Sequence, residues 1–346
     1  MIAFTVPADF QINTVEKMRK LEMAYPENQI REVFGNISGS KWPSGHGYLK
    51  SQKYASSLEA LKEYIDALKA YGYDYNYTFN ASCLDNQDIK ENSQKEILNY
   101  IEELMNIGVN RITVASPALI EAIHARFPKM MITASAILGI DSVIRANGIA
   151  NLGASTIVLH EDLTRDFARI KSMSENCPAD MEIIVNSKCT FNCLYRNAHY
   201  NSVSHDMVGE KAVYSYGRNC ARNRKENPVE YIKSLWIRPE DLEVYSEYGI
   251  KLFKLIGRER LSDIDLLRMI EIYFSRNFEG NLLDLIFGFS NTQKHLYVDN
   301  KKLDGFLDKF VKGPFDCLEK CTESQCNYCK TYLDRALVKT QEGEVS

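Results

Sequence analysis

The sequence predicts a (β/α)8 barrel with a long insertion after its seventh strand and a cysteine-rich C-terminal tail. Three observations carry this. Eight short β-rich runs alternate with helical stretches, an order that implies parallel strands, and eight such units fit a closed barrel. The chain has 346 residues, 45% of them hydrophobic, enough for a barrel of roughly 250 residues with additions. The segment from 189 to 250 is far longer than an ordinary βα connection, and long insertions are functional or disordered. Its cysteines favour a functional one. An open doubly wound sheet is the alternative that the same alternation allows. The division expected is a barrel over 1–280, including a cysteine loop over 189–235, and an extension over 281–346.

Each element has its own signal. "IAFTV" (2–6) reads as a strand and "VEKMRKLEMAY" after it as a helix. "REVFGNI" (31–37) is the second strand, and "SLEALKEYIDALKAYG" has helical apolar spacing. "YDYNYTFNA" (73–81) is the third strand. The helix in "SQKEILNYIEELMNIG" follows it, with Ser93 as its expected N-cap and Glu96 completing a capping box. "RITVAS" (111–116), "MMITASAI" (130–137), "STIVLH" (155–160), "MEIIVNSK" (181–188) and "KLFKLIG" (251–257) complete the eight strands, and the last barrel helix spans roughly 262–276. In a barrel, functional residues sit on the loops after strands. That rule brings Cys83, Glu161, Asp162, Cys189, Cys193 and Arg258 to one mouth.

The formal charge of −4 gives no general preference for nucleic acid or an anionic membrane. "MIAFTVPADF" lacks the basic start and apolar run of a signal peptide, and no stretch has the length of a transmembrane helix. A cytoplasmic protein is expected. Nine cysteines, Cys83, Cys177, Cys189, Cys193, Cys220, Cys317, Cys321, Cys326 and Cys329, then point to metal binding or catalysis more than to disulfides. Cys177, at a helix end, reads as structural.

Four cysteines crowd "CLEKCTESQCNYC": Cys317, Cys321, Cys326 and Cys329. Four thiolates so close suit a tetrahedral zinc ion or a [4Fe–4S] cluster. A redox-active or disulfide-bonded tail is the other reading. "CTFNCLYR" places Cys189 and Cys193 where a radical enzyme's C-x3-C-x2-C motif would begin, but Arg196 stands in place of its third cysteine. The next cysteine, Cys220 in "YGRNCARNRK", lies among Arg218, Arg222, Arg224 and Lys225. Cations of this kind stabilise an anionic iron–sulfur cluster, although most charge runs are solvated loops. His199 and His205 are candidate ligands, substrate binders or acid–base groups, against plain polar loop residues.

The ordered set "EIIVNSKC…C…GRNC", "IRPEDL" and "FKLIGR" resembles the U32 family, labelled collagenase-like peptidases, across roughly residues 30 to 275. The resemblance implies a barrel holding an oxygen-sensitive [4Fe–4S] cluster, and reactions such as oxygen-independent hydroxylation of RNA bases or quinone precursors. Cys189, Cys193 and Cys220 match the first three cluster cysteines of the hydroxylase-type members. Glu243 stands where the fourth would fall, and Ile256 where the strand-eight motif has an acid. Lys254, Gly257 and Arg258 still fit. The fourth ligand is then Cys83, a tail cysteine, Glu243 or none, and the centres number one or two.

The reading that follows is a redox or hydroxylation-type modification of a small molecule, peptide or RNA, with an external electron donor or partner subunit. Arg238, Lys254 and Arg258 are candidates to hold an anionic substrate group, with salt bridges as the alternative. Glu161 is the candidate proton-transfer group, with His199 and His205 beside it. A U32-type peptidase and a non-catalytic iron–sulfur subunit are the other two readings. Neither G-x-S-x-G nor H-E-x-x-H occurs, and a cysteine hydrolase would need a Cys–His pair in space.

Overall fold

All eight expected strands close into one parallel barrel in chain order, β8 returning to β1. The computed structural model describes residues 1–38, 40–45, 57–206, 209–210, 212–257, 266–289, 296–321 and 325–338. The barrel alternates β1 (Ile2–Pro7), α1 (Ile12–Ala24), β2 (Asn28–Gly35), α2 (Leu58–Ala70), β3 (Asp74–Phe79), α3 (Glu91–Asn106), β4 (Arg111–Val114), α4 (Pro117–Arg126), β5 (Met131–Ala134), α5 (Val143–Asn151), β6 (Ala154–Val158), α6 (Phe167–Asn176) and β7 (Asp180–Ile184). The insertion then contributes α7 (Arg196–Asp206), α8 (Tyr216–Glu226), α9 (Val229–Lys233) and α10 (Leu242–Glu247) before β8 (Leu252–Lys254) and α11 (Leu266–Ser275). The tail adds α12 (Leu282–Phe287), β9 (Tyr297–Val298), α13 (Asp308–Lys312), α14 (Cys317–Lys320), α15 (Tyr328–Ala336) and β10 (Leu337–Val338). Among the described residues, no helix is long and apolar enough to cross a membrane.

One helix start differs from expectation. α3 begins at Glu91 with Lys90 at its N-cap and no side-chain cap, so Ser93 lies inside its first turn. Glu96 pairs with Lys41 instead of closing a capping box. The expected last barrel helix begins among residues outside the description and is seen from Leu266.

The barrel interior is polar. Typical barrels fill this space with Val, Ile and Leu. Here Thr5, Glu32, Asn76, Thr113, Thr133, Thr156, Glu182 and Lys254 are all buried. Two of their bonds cross between strands that are not neighbours, as side chains pointing inward do: Thr5 of β1 donates to Glu182 of β7, and Asn76 of β3 to Thr133 of β5 at 3.3 Å. Asn76 also donates to Glu32 at 2.7 Å, and Lys254 Nζ lies 3.3 Å from Glu182. Polar groups out of water are tolerated when they are bonded in this way.

Insertion and tail form a cap over the barrel. α15 packs on α9, and Trp236 meets Phe306 at 5.1 Å between ring centroids. Phe191, between two loop cysteines, meets Phe315 of the tail at 5.9 Å. Tail side chains Phe306, Phe310 and Leu333 join the same apolar core as the barrel. Arg238 fastens the arrangement. It takes both oxygens of Asp241 at 2.9 Å, the Asn300 carbonyl at 3.0 Å and Asp304 at 2.8 Å. Expected to hold a substrate anion, Arg238 is instead 3% exposed and committed to the tail.

Two outcomes follow. Burial, then the field of Glu182, raises the Glu32 carboxyl above its ordinary 4.5, and Lys254, Asn76 and Arg111 offset this only in part. The folded chain therefore holds that proton more tightly than the unfolded one, so this group's contribution to stability falls as pH rises through the raised value. Glu32→Gln should gain stability relative to the wild type as pH rises above the carboxyl's ordinary 4.5 in urea titrations; an unchanging difference would count against the assignment. Arg238→Ala leaves Asp241 buried and unpaired, and should lower unfolding free energy by about 3–5 kcal/mol in denaturant titrations.

Candidate functional site

The carboxyl ends of the strands surround a cavity of about 90 Å³. Its wall includes Phe34, Thr78, Asn80, Thr113, Ser135, Ile137, Glu161, Ser187, Cys189, Tyr200, Lys254 and Ile256. Lys254 ends β8 and stands over the Phe34 ring, its Nζ 4.4 Å from the centroid. Asn80 is held by Ser44 at 3.1 Å and by Ser135 at 3.3 Å. The candidate anion holder Lys254 thus lines the cavity, while Arg258 lies outside the described residues.

Glu161 opens the turn after β6. It is buried and accepts hydrogen bonds from Ser187 at 2.5 Å and Tyr200 at 2.8 Å. Two residues past Ser187, the Cys189 amide donates to the same Ser187 hydroxyl at 3.2 Å. Burial, and after it the Glu161 charge, pushes the Cys189 thiol up to about 12. That thiol is therefore protonated at neutral pH.

Cations gather around this loop. Arg196 forms a fork onto Asp162 at 2.7 and 2.8 Å and donates to the Thr190 carbonyl at 2.9 Å. Burial disfavours its charge, but the Asp162 hydrogen bonds and the Glu161 field outweigh that and raise its pKa. Where a radical enzyme's third cysteine would stand, this chain has a clamp between the loops after β6 and β7. From α8, Arg224 donates to the Lys188 carbonyl, and the Cys220 sulfur lies 3.7 Å from the Thr190 hydroxyl. The Nε atoms of Arg196 and Arg224 are both buried without a hydrogen-bond partner. Cys193 offers its carbonyl to the Arg196 amide at 3.2 Å, at the turn into α7.

A second depression of about 400 Å³ adjoins the first through Ile137 and Tyr200, and is lined by Ser82, Arg145, His160 and Asn197 among others. Next in the chain to Ser82 of its wall, Cys83 belongs to a constellation that the sequence could not join. His205 Nδ1 lies 2.6 Å from Glu210. The Cys83 thiol hydrogen-bonds the same imidazole, and Cys83 first and Glu210 second raise its pKa. His199, by contrast, stacks on Tyr216 at 5.5 Å, and burial, with Lys188 behind it, lowers its pKa; it is not among the residues lining either cavity.

Other candidates separate. Glu243 pairs at 3.4 Å with Arg276, which reaches Asn28 at the start of β2. That is the end of the barrel away from the mouth, so Glu243 is no ligand there. Cys317, Cys321, Cys326 and Cys329 lie in the tail with their thiols free. Among the described residues, no three His, Cys, Asp or Glu side chains come close enough together to hold a metal ion. Sequence reasoning missed Ser187, Tyr200 and Arg165, whose partners are distant in the chain.

Comparison with known proteins agrees with the fold. Residues 49–262, more than half of the chain, match the family described as Peptidase family U32. The chain is 26% identical over 344 residues to the "Uncharacterized protease MJ1657" of Methanocaldococcus jannaschii, covering 97% of this chain and 99% of that one. In three dimensions it is similar to the U32 peptidase Mk0906, with a TM-score of 0.54 and 15% identity, over 74% of this chain and 93% of the other. The family match, with the barrel it covers, is decisive: the chain belongs to peptidase family U32.

Proposed function

We propose that the barrel mouth is the active site of an iron–sulfur-dependent U32 enzyme that carries out a redox or oxygen-independent hydroxylation-type modification. One observation carries the reading: Cys189 walls the cavity beside Glu161, and the buried Arg196 and Arg224 bind its loop while each keeps an Nε without a hydrogen bond. Arg196 is answered by Asp162, whereas Arg224 meets only a carbonyl and a hydroxyl. Thiolates bound to iron carry negative charge, which nearby N–H donors stabilise. Cys189, Cys193 and Cys220 would hold the cluster, and when bound it supplies electrons or Lewis acidity to the substrate. Lys254 offers its charge to a carboxylate or phosphate. Glu161, oriented by Ser187 and Tyr200, accepts or returns a proton. The cavity admits a small molecule, or the reactive end of a peptide or RNA. Work in the cytoplasm, with an external electron donor, keeps these thiols reduced.

Purification without air, followed by iron and acid-labile sulfide analysis, tests this. The wild type should be brown and carry both. Cys189→Ser should lose the mouth iron, and Glu161→Gln, which removes no ligand, should keep it. An iron-free wild type would overturn the proposal.

A second reading, hydrolysis, has its own geometry in Cys83, His205 and Glu210. A thiol, an imidazole and a carboxylate in series are the parts that activate a sulfur nucleophile. This reading expects peptide hydrolysis that survives iron chelation, persists in Cys189→Ser and disappears in Cys83→Ala. Absence of hydrolysis by the reduced wild type on a fluorogenic peptide library would end it.

A further inference from the structure

We infer that Cys317, Cys321, Cys326 and Cys329 form a separate four-thiolate centre for a soft metal cation, with Arg165 as its buried counter-charge. This goes beyond the mouth reading and does not depend on it.

Arg165 is 6% exposed. Its guanidinium stacks on Trp236 at 5.1 Å, Phe306 at 4.8 Å and Phe310 at 5.7 Å. Its hydrogen bonds go to carbonyls: Ile232 at 2.8 Å, Ser234 at 2.7 Å and Lys233 at 3.4 Å. Nε is buried without a partner. Carbonyl dipoles orient a cation but bring no net negative charge, and an unpaired buried cation is costly. The groups near enough to act on this one are Cys329, Cys317 and Cys321, with Tyr245. Cys326 lies 3.6 Å from Lys309 Nζ, so the fourth sulfur also faces a cation.

The local folding fits this role. Cys317 opens α14 and Cys321 follows its end. Cys329 sits in the first turn of α15, which packs on α9 and so returns the chain toward Arg165. Among the described residues Cys317 and Cys329 each feel the charge of other tail cysteines, but the four do not form a closed ligand group. Binding must therefore draw them together, which couples the metal to the fastening of the tail. The charges balance. A divalent cation displaces four thiol protons to water and leaves a tetrathiolate site of charge −2. Arg165 and Lys309 match that charge. Zinc and a [4Fe–4S] core both accept this donor set.

Elemental analysis of the full chain, prepared without air, decides. The wild type, Cys189→Ser and the double variant Cys326→Ser/Cys329→Ser are compared for zinc and iron. The double variant should lose a metal that Cys189→Ser retains, and the element lost names the cation. Equal metal in the double variant and the wild type overturns the inference. So does loss of all metal in Cys189→Ser, which would mean one shared centre. If the mouth carries no iron, the tail metal should still be present. Should the double variant fail to fold, thiol counting on the native wild type replaces it. Of the nine cysteines, the four of the tail should become reactive only after metal removal, joined by Cys189, Cys193 and Cys220 if the mouth carries its cluster, and nine reactive thiols before removal would refute the centre. Arg165→Gln should weaken metal binding about 10–100-fold in chelator competition, as loss of an outer partner does.

Discussion

A guanidinium taken out of water must find acceptors, and four of them hold the cap of this protein on its barrel. Arg238 joins the insertion to the tail through Asp241, Asp304 and the Asn300 carbonyl. Arg196 joins the loops after β6 and β7. Arg224 anchors α8 to the Lys188 carbonyl, and Arg165 gathers the carbonyls at the end of α9 under the tail aromatics. The planar fork of arginine allows each to bind several groups at once. Lysine could not replace them without leaving acceptors unmet. The insertion and tail have few long apolar helices, so these contacts supply direction that apolar burial alone would not.

The same arginines separate into two kinds. Arg238 is answered by two carboxylates. Arg165 and Arg224 have hydrogen bonds only to carbonyls and a hydroxyl among the described residues, and each keeps an idle Nε. Arg196, though paired with Asp162, keeps one too. The answered arginine serves architecture. The incompletely answered ones stand next to cysteines. A buried positive field beside cysteines favours whatever makes their sulfurs negative, and metal binding does so.

The barrel was legible because its strands are short β-rich runs in regular alternation with helices, and that signal is local. Strand edges were less legible. β2 starts at Asn28, a polar residue buried by its bonds to neighbours in space. Of the site, Glu161 and Cys189 follow from the rule that loops after strands carry function, and Lys254 from the motif "FKLIGR". Ser187 and Tyr200 were not, since nothing in their neighbours signals that they converge on Glu161. For Arg238 the salt-bridge alternative is the one the structure shows, and sequence could not decide it because two of its acceptors lie 62 and 66 residues onward. Glu243 was carried to the mouth by motif position, whereas α10 delivers it to the other end.

The turn Glu161–Arg165 ties these strands of argument together. Its first residue faces the mouth cavity, where Ser187 and Tyr200 fix it. Its last residue is the buried cation beneath the tail cysteines. A five-residue turn of this kind is stiff, held here by the Thr164 hydroxyl on the Glu161 carbonyl at 2.5 Å and by Tyr245 on the Thr164 carbonyl at 2.7 Å. The mouth carboxylate and the buried cation under the tail are thus the two ends of one short turn, Glu161–Arg165, so the place of the tail relative to the mouth is set by local chain geometry.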